Sequence, residues 1–429
     1  MTAADHLTLG WDRREITPTR PIPLAGYASR ADEGPAEDVL SPLHVRTIAL
    51  RHGDRRAVIV VADLLCWGPD NVEHLRRECE AVHGLRPDEL FLCATHTHSA
   101  PQPSSWFTDG LGVADAEWVA RCHREVVAGI GAALATAVPV TLDTTHGRHE
   151  LGIDRRFARS AGRESAEALS QRLTVINFRT GGSVVATLFH HACHPTLHHG
   201  NAVSAEFPGA AMSSLEESGN AAIALYLQGC CGNVNPDAYD GTTFLGGDQA
   251  AVVDLGEQLA DAVRRLLAGD TTPIEPDLAG RLVEVDLPTE PAPAAAELSD
   301  LVNSEHMQVS QWSRLLLAHP ERRTGAPLTI SSLRFGAGLG LVGMSAEVTS
   351  PYADHVTAVS EGTVISLGYC NGMLGYVVTA KQLAEGGYEA TDAPLWFGMP
   401  GRLTPAAEDV LQEALAEVAT ATTPAPAHR

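Results

Sequence analysis

The stretch LFLCATHTHSAP, positions 90 to 101, decides the fold. Its first residues, 90–94, are apolar and have the length of one buried strand. The strand runs directly into Thr-His-Thr-His at 95–98. Because residues two apart in extended backbone point the same way, His96 and His98 can face one cleft from the end of the strand. Open α/β sheets place their ligand sites at such strand ends.

The alternation of strand and helix extends outward in both directions from this stretch. Upstream, the β-rich runs 45–50 and 57–65 pair through a turn, and Pro69 opens a helix to about His83. Downstream, the predicted elements are a helix over 115–137, a hairpin over 172–178 and 184–190, a helix over 207–218, a strand over 221–227, helices over 247–268, 294–303 and 308–318, strands over 328–335, 339–344 and 363–369, and a helix over 404–420. This pattern predicts an α/β fold with a central mixed β-sheet flanked by helices.

No internal repeat divides the chain, so the sequence predicts a single catalytic domain over 1–421. A loop rich in Pro, Glu and Ala near 288–293 is the candidate for a subdomain joint. The terminal residues 422–429, TTPAPAHR, are predicted to be a disordered tail.

Composition and charge exclude several classes of partner. Of the 429 residues, 44% are hydrophobic and 19% charged, which is typical of a globular protein. The formal charge is −23, with 53 acidic against 30 basic residues. Nucleic acids and anionic membrane surfaces both require a cationic face. The sequence therefore predicts a small-molecule substrate rather than a nucleic acid, and it leaves a homo-oligomer open.

The sequence has none of the patterns that indicate a membrane span, a secretory signal or a CxxC redox motif. The longest apolar run, 57–67, is interrupted by Asp63 and is far shorter than the roughly 20 residues of a membrane span. Membrane insertion is therefore not expected. The N-terminus has no basic start followed by an apolar block, and the eight cysteines show no CxxC spacing. We expect buried free thiols and a cytoplasmic protein.

A second histidine-rich segment, LFHHACHPTLHHG at 188–200, also follows an apolar strand. Together the two segments hold seven of the 19 histidines. Neutral imidazole is the commonest metal ligand among side chains, and catalytic zinc takes three protein ligands with one open position. The alternative is that buried histidines bond to backbone carbonyls, and His198 and His199 can be incidental. A second ion at His190, His198 or His199 is left open.

A third polar segment, QGCCGNVNPD at 228–237, follows the strand 221–227. Gly229 and Gly232 permit a tight turn and close backbone approach, which suits the lining of a site. An ordinary glycine- and asparagine-rich loop would have the same composition, so this segment alone does not distinguish the two.

With these segments in view, the sequence resembles the catalytic domain of the neutral/alkaline (non-lysosomal) ceramidase family. The matching segments run in the family's order across most of the chain: THTHS at 95–99, HACHPT at 191–196, VSAEFPGAA at 203–211, QGCCGNVNP at 228–236, SAEVTSPY at 345–352 and GYVVTAKQLAEGGYEA at 375–390. They resemble its two zinc motifs, its Gly-Asp-Val-Ser-Pro active-site loop, its glutamate-ligand segment and its tyrosine-containing C-terminal motif. The resemblance implies a ceramidase-like fold with a zinc site.

The resemblance also implies roles for individual residues. It implies one Zn²⁺ per chain, with the ligands His96, His194, Glu347 and Tyr376. His98 would contact the substrate or the developing oxyanion, and Tyr388 would donate a hydrogen bond. Arg155, in GIDRR at 152–156, resembles an Asn-Arg segment that holds the substrate's carbonyl or hydroxyl group.

Two departures from the family's active-site loop change the expected mechanism. Asn235 stands where the family has its serine, and Asn233 replaces the acidic residue. Asparagine cannot act as that nucleophile, so attack by metal-bound water is expected. The general base must then come from elsewhere. Glu206 and Asp63 are the candidates, either as the base or as a hydrogen-bond partner of a histidine ligand.

The leading hypothesis is a zinc-dependent hydrolase that cleaves an amide (N-acyl) bond of a small soluble substrate through metal-activated water. An ester or lactone hydrolase, or a biosynthetic enzyme that cyclises an acyl compound, would need the same donors and metal. A catalytically inactive metal-binding scaffold would have no reason to keep His96, His98, His194, Glu347, Tyr376 and Tyr388 together.

Overall fold

Residues 6–156 and 172–423 are described by a computed structural model of the chain. The strands are β1 Thr8–Glu15, β2 Asp38–Val39, β3 His44–His52, β4 Arg55–Ala62, β5 Leu90–Ala94, β6 Val138–Pro139, β7 Thr141–Arg148, β8 Gly152–Asp154, β9 Arg172–Thr180, β10 Ser183–His191, β11 Ala202–Val203, β12 Ile223–Gln228, β13 Val234–Pro236, β14 Thr272–Ile274, β15 Pro276–Asp286, β16 Pro327–Gly336, β17 Leu339–Met344, β18 Glu347–Val348, β19 Val364–Leu367 and β20 Tyr376–Val377. The helices are α1 Pro69–His83, α2 Ala116–Ala135, α3 Glu206–Glu217, α4 Gln249–Leu267, α5 Ala295–Leu301, α6 Met307–Ala318, α7 Pro351–Val359, α8 Ala380–Glu385, α9 Tyr388–Thr391, α10 Ala393–Trp396 and α11 Ala406–Thr422.

The mixed α/β class is confirmed, but the strands form several sheets rather than one central sheet. The larger sheets have the strand orders β5-β4-β3-β1-β6, β12-β10-β9-β7-β14 and β15-β16-β17-β19. Each is mainly antiparallel with one parallel pair at an edge: β4 with β5, β10 with β12, and β17 with β19. The predicted hairpins β3–β4 and β9–β10 are confirmed.

The first two of these sheets pack face to face, and helices cover their outer surfaces. Ile48, Ile59, Leu188 and Leu225 belong to one buried cluster between the sheets. Helices α1 and α2 cover the first sheet, and α3 and α4 cover the second. Helix α2 begins where Asp115 accepts a hydrogen bond from the Trp118 amide, a common N-terminal cap.

The carboxyl ends of the parallel edge strands converge. An isolated bridge pairs Cys93 at the end of β5 with Cys370 beyond β19, and a second pairs Gly229 beyond β12 with Leu367. The loops that leave β5, β10, β12 and β19 therefore meet in one region. This is the position at which α/β sheets place their sites.

Strands β1, β7 and β15 are not predicted by the sequence pattern. Their side chains are largely half-buried or exposed, as the burial pattern of β1 shows. Polar residues on a solvent-facing side mask the alternation on which strand prediction depends. All eight cysteines are buried and free, as expected.

Two residues of the candidate joint at 288–293 pair with a later segment. Thr289 bridges Leu403, and the Glu290 amide donates to the Arg402 carbonyl at 2.7 Å. At the other end, helix α11 includes Thr422, and residues 424–429 of the predicted tail lie outside the described residues. In the described parts of the chain, none of the helices is both long and apolar enough to cross a membrane.

Substitution of Gly10 in β1 tests how closely the first sheet packs against α2. A Cβ at this position would lie 1.9 Å from the Ala133 carbonyl oxygen, so the helix would have to move. We expect Gly10→Ala to lower the free energy of unfolding by about 1–3 kcal/mol, as overpacking does. Denaturant unfolding monitored by circular dichroism measures this. Gly269→Ala is the control, because its Cβ would meet its nearest atom at 3.6 Å. Equal stability of the two variants would contradict this packing.

Candidate functional site

His96 lies just beyond β5. Its backbone has a φ of 68°, a left-handed conformation that residues other than glycine rarely adopt. Its Nδ1 lies 2.7 Å from the Leu65 carbonyl oxygen, and its ring stacks on Tyr369 with 4.0 Å between centroids. Since a carbonyl can only accept, Nδ1 carries the proton. The Nε2 lone pair therefore points away from Leu65 and into the site.

His194 is oriented in the same way by a different loop. Its Nδ1 lies 2.6 Å from the Cys231 carbonyl oxygen, and its backbone amide donates to the Val234 carbonyl at 2.9 Å. The third polar segment of the sequence thus fixes this imidazole through main-chain oxygens. Hydrogen bonds of this kind fix the tautomer of metal-binding histidines.

Glu347 and Tyr376 are brought side by side by a short parallel pair of strands, β18 and β20, in which they are register partners. Glu347 Oε2 lies 3.3 Å from His96 Nε2 and 3.4 Å from His194 Nε2. This oxygen is buried and makes no hydrogen bond within the described structure. Tyr376 Oη lies 3.4 Å from His194 Nε2.

His98 lies in the same cluster. Its Nε2 is 3.2 Å from His96 Nε2, and the ligand nitrogens of His96, His98 and His194 all lie within 4.8 Å of one another. Gly26 allows this approach, because a Cβ there would meet His98 Nδ1 at 2.7 Å. The geometry lets His98 be a ligand as well as the predicted substrate contact.

The charges of this cluster fit a cation. Two imidazole lone pairs face one unpaired carboxylate oxygen, and these groups repel one another unless a positive charge lies between them. Burial lowers the pKa of His194 to about 4, so the ring is neutral at pH 7. Neutral imidazole and ionised carboxylate are the forms that bind zinc.

Arg155 borders the cluster. Its Nη2 donates to Tyr376 Oη at 3.2 Å, and its Nη1 donates to Asn235 Oδ1 at 3.2 Å. The antiparallel pair β8–β13, in which Asn235 faces Ile153, holds the two segments together. The predicted residues Arg155 and Asn235 are therefore adjacent to the candidate ligands.

Tyr388 stands at the solvent side of this group. Its ring lies 5.7 Å from that of Tyr376 in an edge-on arrangement, and it is 37% exposed. Partial desolvation of the phenol and the nearby Glu347 raise its pKa above the ordinary value, so it stays protonated and can donate a hydrogen bond.

The two candidate bases, Glu206 and Asp63, have hydrogen-bond partners outside the histidine cluster. The Glu206 carboxylate accepts hydrogen bonds from the backbone amides of His198 and Phe207, and burial raises its pKa to about 7. Asp63 accepts from the His44 amide at 2.8 Å and pairs with a buried arginine. Within residues 6–156 and 172–423, neither carboxylate is hydrogen-bonded to the histidine cluster. A role of either as base stays a prediction.

Sequence reasoning missed Glu389 and Tyr369. Glu389 accepts from Arg155 Nε and from Arg156 Nη1, both at 2.7 Å, and so fixes the guanidinium beside the site. Tyr369 packs on His96. Glu389 directly follows Tyr388, but nothing in the sequence pairs it with an arginine so far away along the chain.

A second ion in the tract 188–200 finds no support in the described residues. There, His96, His98 and His194 form the one group of three or more His, Cys, Asp or Glu side chains close enough to hold a metal. Of the three histidines considered for such an ion, His190 is buried, His198 is half-buried and His199 is exposed.

Comparison with known proteins identifies the fold. The chain is similar to the neutral ceramidase from Pseudomonas aeruginosa, with a TM-score of 0.77 and 18% identity over 99% of this chain and 75% of that one. It is equally similar to a structure described as ceramidase complexed with C2, with a TM-score of 0.77, 18% identity and coverage of 97% and 75%. No family model and no curated protein matches the sequence. The ceramidase-like fold is therefore established by structure alone.

We expect Zn²⁺ to stabilise the protein through this cluster. Binding to the folded state alone adds about 2.7 kcal/mol at a free concentration 100 times Kd, and the Tm should rise by a few degrees. In His96→Ala the rise should disappear, whereas the exposed His199→Ala, from the neighbouring tract, should keep it. Thermal unfolding with Zn²⁺ and with chelator measures this effect. An equal rise in all three proteins would place the ion elsewhere.

Proposed function

We propose that the protein is a zinc-dependent hydrolase that cleaves an amide (N-acyl) bond of a small soluble substrate. The observation that carries the proposal is the inward convergence of His96 Nε2, His194 Nε2 and Glu347 Oε2, each imidazole fixed by a carbonyl behind it. The two similar structures described above are named ceramidases, which supports an amide as the bond that is cleaved.

His96, His194 and Glu347 would hold the ion, with Tyr376 or His98 as a further ligand. Zinc supplies Lewis acidity and lowers the pKa of a bound water toward about 7. These five residues offer more donor atoms than the three protein ligands that a catalytic zinc usually has, so different subsets of them could bind the ion. The deep burial of this cluster keeps bulk water away from the reacting bond.

The remaining polar residues would act on the substrate carbonyl. Arg155 is buried and its guanidinium is held rigidly by Glu389, so its donors are preorganised. Tyr388 keeps its phenolic proton and can donate from the solvent side. Donors aimed at the carbonyl oxygen stabilise the negative charge that develops as the amide is attacked. His98 would bind or orient the same group.

Asn235 has no nucleophilic group, so its proposed role is to position Arg155. Its Oδ1 accepts from Arg155 Nη1, and β13 fixes its backbone. A serine-dependent reaction at this position is not part of the proposal. We also propose that the chain acts as one catalytic domain, because the ligands come from segments spread from 96 to 376.

Metal content and activity can be separated by two substitutions. Elemental analysis of the wild type should find about one zinc per chain, and His194→Ala should lose both the zinc and hydrolysis. Tyr388→Phe should retain the zinc but lower kcat by a factor on the order of 10²–10³, the usual loss for one oxyanion donor. Hydrolysis is measured on a panel of N-acyl amides, esters and lactones.

The panel also distinguishes the bond that is cleaved. Preferential turnover of N-acyl amides supports the proposal. Turnover of esters or lactones alone would show that the same site hydrolyses an ester bond and not an amide bond. Hydrolysis that survives in zinc-free His194→Ala would overturn the metal-dependent mechanism.

A further inference from the structure

A cavity of about 810 Å³ is lined by residues of α1, β15 and the segment 397–400. None of the candidate metal ligands lines it. Ser345 and residues 371–374 also line it. The volume lies within the range of roughly 300–1,000 Å³ that is typical of small-molecule sites.

One part of the wall of this cavity is apolar, and charged side chains form another part. The side chains that supply the apolar surface are Val72, Trp106, Met373, Leu374, Phe397 and Met399. Apolar and aromatic walls with a few polar groups are the usual composition of a ligand pocket. A ligand that fits must therefore bring an apolar body.

Arg76 of α1 supplies an unsatisfied cation to the same cavity. Its Nε and Nη2 are buried and have no hydrogen-bond partner within the described residues. The other two arginines of the lining are engaged: Arg77 pairs with Glu73 at 2.9 Å, and Arg322 donates to the carbonyls of Trp106 and Phe397. Buried polar groups are costly unless they are hydrogen-bonded, so Arg76 is suited to an acceptor brought by a ligand.

A simple anion does not suit the cavity, because acidic side chains outnumber the arginines. Glu73, Glu80, Glu284, Asp286 and Glu321 line it together with Arg76, Arg77 and Arg322. Burial lowers the pKa of the half-buried Arg76, and the charge of the exposed Glu284 opposes this shift, yet no ion pair within 4.0 Å joins the two in the described structure. Arg76 and Glu284 thus both line the cavity without a direct ion pair between them.

We propose that this cavity binds a small zwitterion with apolar side chains, an amino acid or dipeptide. Its carboxylate would pair with Arg76, its ammonium with Glu284, and its side chains would contact the apolar walls. A ligand carrying both charges satisfies each group without adding net charge to an acidic pocket. Guanidinium–carboxylate pairs are among the stronger hydrogen-bonded contacts. This proposal does not rest on the proposed hydrolase function.

Isothermal titration calorimetry with L-leucyl-L-phenylalanine and with L-phenylalanine tests the proposal. At least one of them should bind the wild type, and the affinity should fall by about tenfold or more in Arg76→Met and in Glu284→Gln. Arg77→Met is the matched control on the same helix and should bind like the wild type. Thermal unfolding of each variant shows that it is folded.

Two analogues test the role of each ligand charge. N-acetyl-L-leucyl-L-phenylalanine lacks the ammonium group, and L-leucyl-L-phenylalanine amide lacks the carboxylate, so both should bind at least about tenfold more weakly. Equal binding of the analogues, equal binding by Arg76→Met and Arg77→Met, or no binding of either probe would overturn the proposal. The zinc content should be the same in all of these variants.

Discussion

The hydrogen bonds that His96 and His194 make through Nδ1 are the constraint on which the rest of the site depends. The acceptors are the main-chain carbonyls of Leu65 and Cys231. Because a carbonyl oxygen cannot donate, Nδ1 must be the donor in both bonds. Both Nε2 lone pairs are consequently directed toward the buried Glu347 carboxylate. That arrangement is repulsive by itself and favourable around a cation. The functional proposal follows from this electrostatic requirement rather than from the histidine count.

The sheets supply the rigidity that this arrangement needs. His96 follows β5, His194 follows β10, and the loop that orients His194 follows β12. Bridges between Cys93 and Cys370 and between Gly229 and Leu367 connect the edges of the sheets at this place. The positive φ of His96 is maintained because its neighbours on both sides are fixed. Ligands from distant segments can thus converge without a flexible loop between them.

Much of this could be predicted from sequence, because the informative signals are local. An apolar run followed by polar residues indicates a strand end, so the elements around His96 and His194 were predictable. Nothing local reports that Glu389 fixes Arg155, or that Glu206 bonds to backbone amides rather than to the histidine cluster. The half-exposed strand β1 was missed because its polar residues face solvent. Long-range pairing and the division into several sheets depend on tertiary packing, which one sequence does not encode in any short pattern.

Anomalous diffraction from crystals grown with Zn²⁺, recorded on both sides of the zinc absorption edge, would locate the ion. We expect one peak in each chain, about 2.0–2.2 Å from His96 Nε2, His194 Nε2 and a Glu347 carboxylate oxygen, the usual zinc–ligand distances. Both Nδ1 atoms should keep their carbonyl partners. A peak at another site only, or no peak between these three residues, would show that the cluster is not the zinc site.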